Sequence, residues 1–275
     1  MTLKRQDTHL RIIYTLVVVA VLVWTLYPLL WIVFASIKPK SAQFLPIWFG
    51  FKPTLDNYRT FFSNSEFARC FLNSFIVTLL AVLLSLLVGT PTAYALARFK
   101  IKRKSGIMIF VLLARMTPPV VLVLPFFLIA KRLDLSGTYA ALVGMGAFLS
   151  VPFVIWMMRG FFTEIPVEIE ESAVVDGCSR FKAICKVVLP LAAPGFAATA
   201  VLCALLVWNE FFFALVLSGS KTRTLPVLVN MFVSEKSVDW GTMSAAGIIT
   251  VLPLIIFGLM AQKHLVRGLT MGSIK

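Results

Sequence analysis

Six long apolar runs alternate along the chain with shorter polar segments that are mostly basic. About 20 predominantly apolar residues are enough to cross the hydrocarbon core of a bilayer as a helix. The runs at roughly 12–36, 71–97, 107–130, 139–158, 191–217 and 242–261 all meet that requirement. Backbone amides and carbonyls find no water in lipid, so each run predicts a helix rather than a strand. The first run holds Trp24, Tyr27 and Trp31, continues past Pro28 and has no small-residue cleavage site. It reads as a retained span, not a removable leader.

The segments between the runs set the expected orientation. With the N-terminus inside, fifteen Lys and Arg residues fall on inner segments and ten on outer ones, and Arg115 lies within a span. The strongest anchor is the cluster Arg98, Lys100, Lys102, Arg103 and Lys104. The first run opposes the trend, with three basic residues before it and five after, but the sum favours both termini inside. Residues 37–70, with Pro39, Pro46 and Pro53, read as an external cap with little regular structure. Residues 218–241 read as a short re-entrant or interfacial piece.

Composition narrows the function classes. The chain is 59% hydrophobic and 14% charged, against about 45–50% and about 25% for soluble domains. An ordinary soluble enzyme and a disordered tail are both excluded. The net charge of +14 sits between apolar runs, where anionic headgroups and orientation account for it, so nucleic acid is not an expected partner. Cys70, Cys178, Cys185 and Cys203 form no C-x-x-C pair, and His9 and His264 stand at opposite ends of the chain. Neither a disulfide framework nor a metal site is expected. No G-x-x-x-x-G-K-[ST] loop is present, so the chain is not expected to bind ATP in that mode.

Residues 159–190 are too long for a simple connection between neighbouring helices. Pro166 suits a first helical turn, and Glu168, Glu170 and Glu171 favour the positive end of a helix dipole. Gly177 supplies a left-handed stop. Ser179 suits the cap of a second helix, carrying Phe181, Ala183, Ile184, Val187 and Val188 up to Pro190. The expectation is a cytoplasmic helix-turn-helix whose acidic, small-residue face receives a partner and whose second helix packs on the bundle. Helices that lie on lipid carry basic polar faces, which this first helix lacks.

Glu171-Ser172-Ala173, then Gly177, then Leu189-Pro190 resembles the EAA signature of membrane subunits of bacterial ABC importers, with Ser172 in place of the first Ala. Trp208-Asn209-Glu210-Phe211 is similar to the W-N-E/D-F segment of carbohydrate-importer permeases. The ending from Val266 to Lys275 is similar to the K/R-G-L-T-x-G-x-x-K tail of maltose-permease-G-like subunits. The resemblance implies an all-α, six-span permease of the bacterial inner membrane, forming a single domain over 1–275. It implies pairing with a second homologous permease, two copies of a cytoplasmic ATPase that bind ATP and Mg, and an extracytoplasmic solute-binding protein. It places Glu171, Ser172, Ala173, Asp176, Gly177 and Arg180 at the ATPase contact. This chain itself needs no cofactor.

Ionisable groups inside a membrane are functional candidates, and here they are Arg115 and Glu210. Arg115 precedes Thr117-Pro118-Pro119, where two prolines remove amide donors. Two readings stand for it: a cavity wall offering donors to solute, or a structural group paired with Glu210 or snorkelling to the inner interface. Trp208 and Asn209 suit a sugar ring or plain packing. Asn73, Ser74 and Thr78 line one stripe of the second span, either on the solute route or as interhelical bonds. A self-contained carrier driven by an ion gradient is the alternative function, with Glu210 as its one candidate carboxylate. An intramembrane enzyme would need a catalytic pair, and none is present.

Overall fold

The computed structural model describes residues 3–44, 50–232 and 238–271, with side chains from 10 to 259 outside the two gaps. The regular elements among the described residues are helical. In chain order they are α1 (Leu3–Ile37), α2 (Asp56–Phe62), α3 (Phe67–Arg98), α4 (Lys104–Met116) and α5 (Pro119–Arg132). Next come α6 (Tyr139–Glu164), α7 (Val167–Val175), α8 (Arg180–Ala183), α9 (Leu189–Leu191) and α10 (Ala193–Trp208). The last are α11 (Phe212–Leu217), α12 (Leu225–Asn230) and α13 (Trp240–Met271).

Four described helices are long and apolar enough to cross a membrane: the stretch Leu10–Ile37 of α1, α3, α6 and the stretch Trp240–Leu259 of α13. Two further helix pairs pass that test only when taken together. They are α4 with α5, bent by 92°, and Arg180–Leu191 with α10, bent by 72°. Proline explains the first break. Pro118 and Pro119 have no N–H to continue the ladder of α4, and the residue before a proline is driven out of helical geometry. Thr117 accordingly sits at φ −66°, ψ 123°. The run 107–130 is therefore two helices rather than one. The run 191–217 is interrupted again at Asn209–Phe211, between α10 and α11. The fourth run extends to Glu164, so the hairpin starts later than residue 159.

The chain divides into two compact units, Met1–Ser65 with Val229–Val251 and Glu66–Leu228 with Leu252–Lys275. In the first, α1 exposes nearly its whole apolar length, with Trp24 83% exposed. That surface suits lipid or another protein, not water. The connection after α1 is more regular than its prolines suggest: α2 is a true helix, anchored by fully buried Phe61 and by Asn57, whose amide donates to the carbonyls of Ser36 and Lys38 at 2.8 Å each. Asp239 opens α13, accepting the Thr242 N–H at 3.0 Å and the Thr242 hydroxyl at 2.9 Å. Burial pushes the Asp239 carboxyl up, but the Thr242 bonds, then the Gln43 amide and the Lys40 charge, leave it below its ordinary 3.8.

In the second unit α3 packs along α6. Ala81, Ser85, Gly89 and Ala93 recur every four residues on α3, the small-residue stripe that lets helix backbones approach in lipid. A Cβ on Gly89 would come within 2.6 Å of Val154 Cγ1 on α6. At one end of this seam, Tyr94, Val154, Met158, Phe162, Val188 and Cys203 form a buried cluster that brings in α10 and the end of the hairpin.

Candidate functional site

Two places concentrate polar chemistry, both in the second unit. The first is the hairpin between α6 and α10. Pro166 stands at φ −56°, ψ 135°, one position before α7, and Glu168 and Glu170 occupy the first turn. At the other end, Gly177 has φ +89°. Its N–H donates to the Val174 carbonyl at 3.1 Å, and the Cys178 N–H reaches back to the Ala173 carbonyl at 3.0 Å. This pair of bonds is the Schellman ending, which requires a left-handed residue and so favours glycine. Ser179 then caps α8, its hydroxyl accepting the Lys182 N–H at 3.3 Å.

The second half differs from a simple helix ending at Pro190. Residues Ile184–Val188 form a π-turn, and α9 carries Pro190 through to Leu191 before the chain bends. Pro190 cannot donate to Lys186, and a widened turn is a common accommodation of such a gap. Ala183 and Val188 are fully buried, with Ile184 and Val187 half-buried beside them. Phe181, grouped with them on sequence, points away and is 74% exposed. Ala183, two positions on, turns to the opposite side of α8 and is the buried one.

The candidate contact residues Glu171, Ser172, Asp176, Gly177 and Arg180 are all exposed, and Ala173 is half-buried. Val175, 85% exposed, and Phe181 add apolar area to the same hairpin. Glu170 belongs to a different set. Its Oε2 lies 3.1 Å from Arg98 Nε, and the Tyr94 hydroxyl donates to its Oε1. The same guanidinium donates from Nη2 to the Ile165 carbonyl at 2.9 Å. The Arg98 and Glu170 side chains are 7% and 12% exposed. Sequence reasoning used Arg98 only as an orientation charge. The signal available was the i, i+4 spacing of Tyr94 and Arg98, which puts both on one helix face.

The second place is a cavity of about 360 Å³ where the α4–α5 bend meets the α10–α11 break. Arg115, Thr117, Ser150, Asn209 and Glu210 supply its polar lining, between Leu149, Phe211 and Phe212. The structure thus brings together three of the five candidate pathway residues. Arg115 is exposed, with its guanidinium 5.3 Å from the centre of the Phe153 ring. Among the described residues no ion pair joins it to Glu210. The Glu210 carboxylate instead accepts the Phe213 N–H at 2.9 Å and the Ala214 N–H at 3.0 Å. It satisfies the free amides of α11 where a helix dipole favours an anion. The Asn209 amide donates to the Leu205 carbonyl at 2.9 Å, closing α10.

The other two candidates lie elsewhere. Trp208 is 2% exposed and meets Phe71 edge-on at 5.9 Å. Asn73 stands near the opposite end of α3 from Arg98. Its amide donates to the carbonyls of Lys221 and Arg223, at 3.0 and 2.7 Å, and its oxygen accepts from the Tyr139 hydroxyl. Ser74 beside it accepts the Leu225 N–H at 2.7 Å. These bonds pin the segment after α11 to α3. The ending that resembles the permease tail falls at the edge of what is described: α13 reaches Met271, and Gly272 to Lys275 lie outside the described residues.

Comparison with known proteins agrees with this architecture. Residues 81–271 match the family model of the binding-protein-dependent transport system inner membrane component. The chain is 36% identical over 253 residues to the sulfoquinovosyl glycerol transport system permease protein SmoH of Agrobacterium fabrum, covering 91% of this chain and 89% of that one. It is 31% identical over 275 residues to the trehalose/maltose transport system permease protein MalG of Thermococcus litoralis, covering 98% and 99%. Its fold matches a chain of a bacterial ABC transporter involved in import of the acidic polysaccharide alginate. That match has a TM-score of 0.79 and 25% identity over 94% of this chain and 97% of the other.

Proposed function

The chain belongs to the family of binding-protein-dependent transport system inner membrane components, and on that footing we propose that it is the solute-moving subunit of an ATP-driven importer for a sugar, a polyol or a sugar derivative. Relatives named for sulfoquinovosyl glycerol and for trehalose and maltose support the carbohydrate class. In this reading each bent helix pair is one span of a six-span bundle in the bacterial inner membrane, with both termini and the hairpin on the cytoplasmic side. A second, related permease completes the pathway. Two copies of an ATPase bind ATP and Mg below, and an extracytoplasmic binding protein delivers solute above.

The observation that carries this reading is the hairpin: a Schellman turn at Gly177 presenting exposed Glu171, Ser172, Asp176, Val175 and Phe181. Nucleotide binding closes the ATPase pair, the pair carries the hairpin, and the bundle switches between inward and outward openings. This is a two-state change biased by a remote ligand. The cavity bounded by Arg115, Asn209 and Glu210 is the candidate solute contact. Glu210 suits an ion-driven carrier poorly, because protonating it on every cycle would weaken its bonds to α11.

The test uses a benzophenone attached to Glu171→Cys in a Cys178→Ser, Cys185→Ser background, within membranes containing the assembled transporter. Light should produce an adduct with the ATPase, while the same label on Leu87→Cys gives none. An adduct with lipid only would overturn the docking role.

A further inference from the structure

The hairpin is joined to the bundle covalently at two places, and neither joint is α-helical. On the α6 side the chain is extended through Ile165 (φ −77°, ψ 122°) and Pro166 (φ −56°, ψ 135°). On the α10 side lie the π-turn Ile184–Val188 and the 72° bend. A load applied to α7 through joints of this kind would first flex them, because an extended linker has no hydrogen-bond ladder and the ladder on the α10 side changes register at the π-turn and breaks at the bend.

One side-chain group spans the first joint. Arg98, in the last turn of α3, donates to the Ile165 carbonyl at the start of the joint and pairs with Glu170 beyond it. Tyr94, one turn earlier, donates to the other oxygen of Glu170. Its ring is held edge-on by Phe162 at 5.6 Å and by Phe99 at 6.1 Å. All three polar side chains are largely withdrawn from water, where charge-assisted bonds are stronger and less screened. The planar guanidinium can satisfy two acceptors in fixed directions at once.

We propose that Tyr94, Arg98 and Glu170 are positioning residues that form a strut, making α7 and α3 move as one body when the hairpin is pulled, while the joints on either side flex. Glu170, although it neighbours the contact residue Glu171, faces inward as the load-bearing group and not as part of the docking surface. The strut rests on the reading of the hairpin as the handle of an ATPase.

The experiment measures the distance between spin labels at Glu168→Cys on α7 and Leu87→Cys on α3. The assembled transporter lacks Cys178 and Cys185 and is studied at rest and trapped with ATP, Mg and vanadate. With the native triad, one narrow peak is expected in both states at the same distance. In Glu170→Ala the narrow peak is lost, and trapping shifts what remains. The exchanged pair Arg98→Glu with Glu170→Arg restores the charge pairing but not the donation to the Ile165 carbonyl, so the peak narrows again only in part. Glu170→Gln serves where Glu170→Ala does not assemble. A merely structural role would lower the yield of complex but leave surviving molecules with the native peak in both states, and that result would overturn the strut. So would a native peak that moves on trapping. The benzophenone adduct at Glu171 separates the two failures: its loss sinks the docking role, whereas its presence with a moving native peak sinks the strut alone.

Discussion

Arg98 Nε and Glu170 Oε2 lie 3.1 Å apart, although 72 positions separate them along the chain. The pair ties the end of a membrane-spanning helix to the first helix of the hairpin, with both side chains nearly sealed from solvent. Coulomb attraction between desolvated charges holds such a pair only while both members are present. Removing one strands the other.

The stability consequence follows directly. Arg98→Ala should destabilise the purified protein by about 3–5 kcal/mol, the usual cost of leaving a buried partner unpaired. The double variant with Glu170→Ala should recover part of that loss, because no charge is then stranded. Thermal unfolding in detergent measures both, and fully additive losses would show that the two groups act independently.

Gly177→Leu places a side chain on a backbone at φ +89°. Space is not the obstacle, since a Cβ there meets no atom within 4 Å. The left-handed conformation itself costs roughly 1–2 kcal/mol for an L-residue. Insertion and yield should be normal, while ATP hydrolysis by the assembled transporter no longer drives uptake. Native uptake per ATP hydrolysed would show that the turn is not needed for coupling.

Arg115→Ala should leave the amount of assembled complex unchanged and change the order in which a panel of sugars, polyols and anionic glycosides is taken up. Loss of a charged hydrogen bond should weaken transport of the best solute by roughly ten- to a hundredfold, equivalent to about 1.5–3 kcal/mol. A lower yield with unaltered preference would make Arg115 structural. Glu210→Ala, in contrast, removes the anion at the start of α11 and should cost about 1–2 kcal/mol of stability.

Asp239 gives a pH dependence with a defined sign. Its carboxyl is depressed in the folded protein, so its contribution is fully present above the ordinary value of 3.8 and disappears as pH falls through the lower folded value. Asp239→Ala should therefore cost about 1 kcal/mol at pH 7, the typical worth of a helix cap. The difference from the native chain should shrink below pH 4. A constant difference from pH 7 to pH 3 would contradict the cap.

Much of the fold is legible in the sequence. Hydropathy places the four long apolar helices, and Gly177 and Ser179 mark the turn and the second start of the hairpin. The 92° bend is foreshadowed by Pro118 and Pro119, but its size is not, because neighbouring helices set how far a broken ladder opens. The interruption at Asn209–Phe211 sits inside a run apolar enough to read as one span, marked only by the polar pair Asn209 and Glu210. It becomes physical only through Glu210, whose carboxylate finds the Phe213 and Ala214 amides. Asn73 looked like a pathway residue by its polarity, yet its amide is taken up by carbonyls some 150 positions away. The Arg98–Glu170 pair is equally non-local, so no local pattern announces it.

Reconstitution into vesicles tests the central claim most directly. With the second permease, the ATPase pair, the binding protein and ATP all present, solute should accumulate against its gradient. The isolated chain should move none, whatever proton or sodium gradient is imposed. Accumulation by the isolated chain on such a gradient would contradict the account.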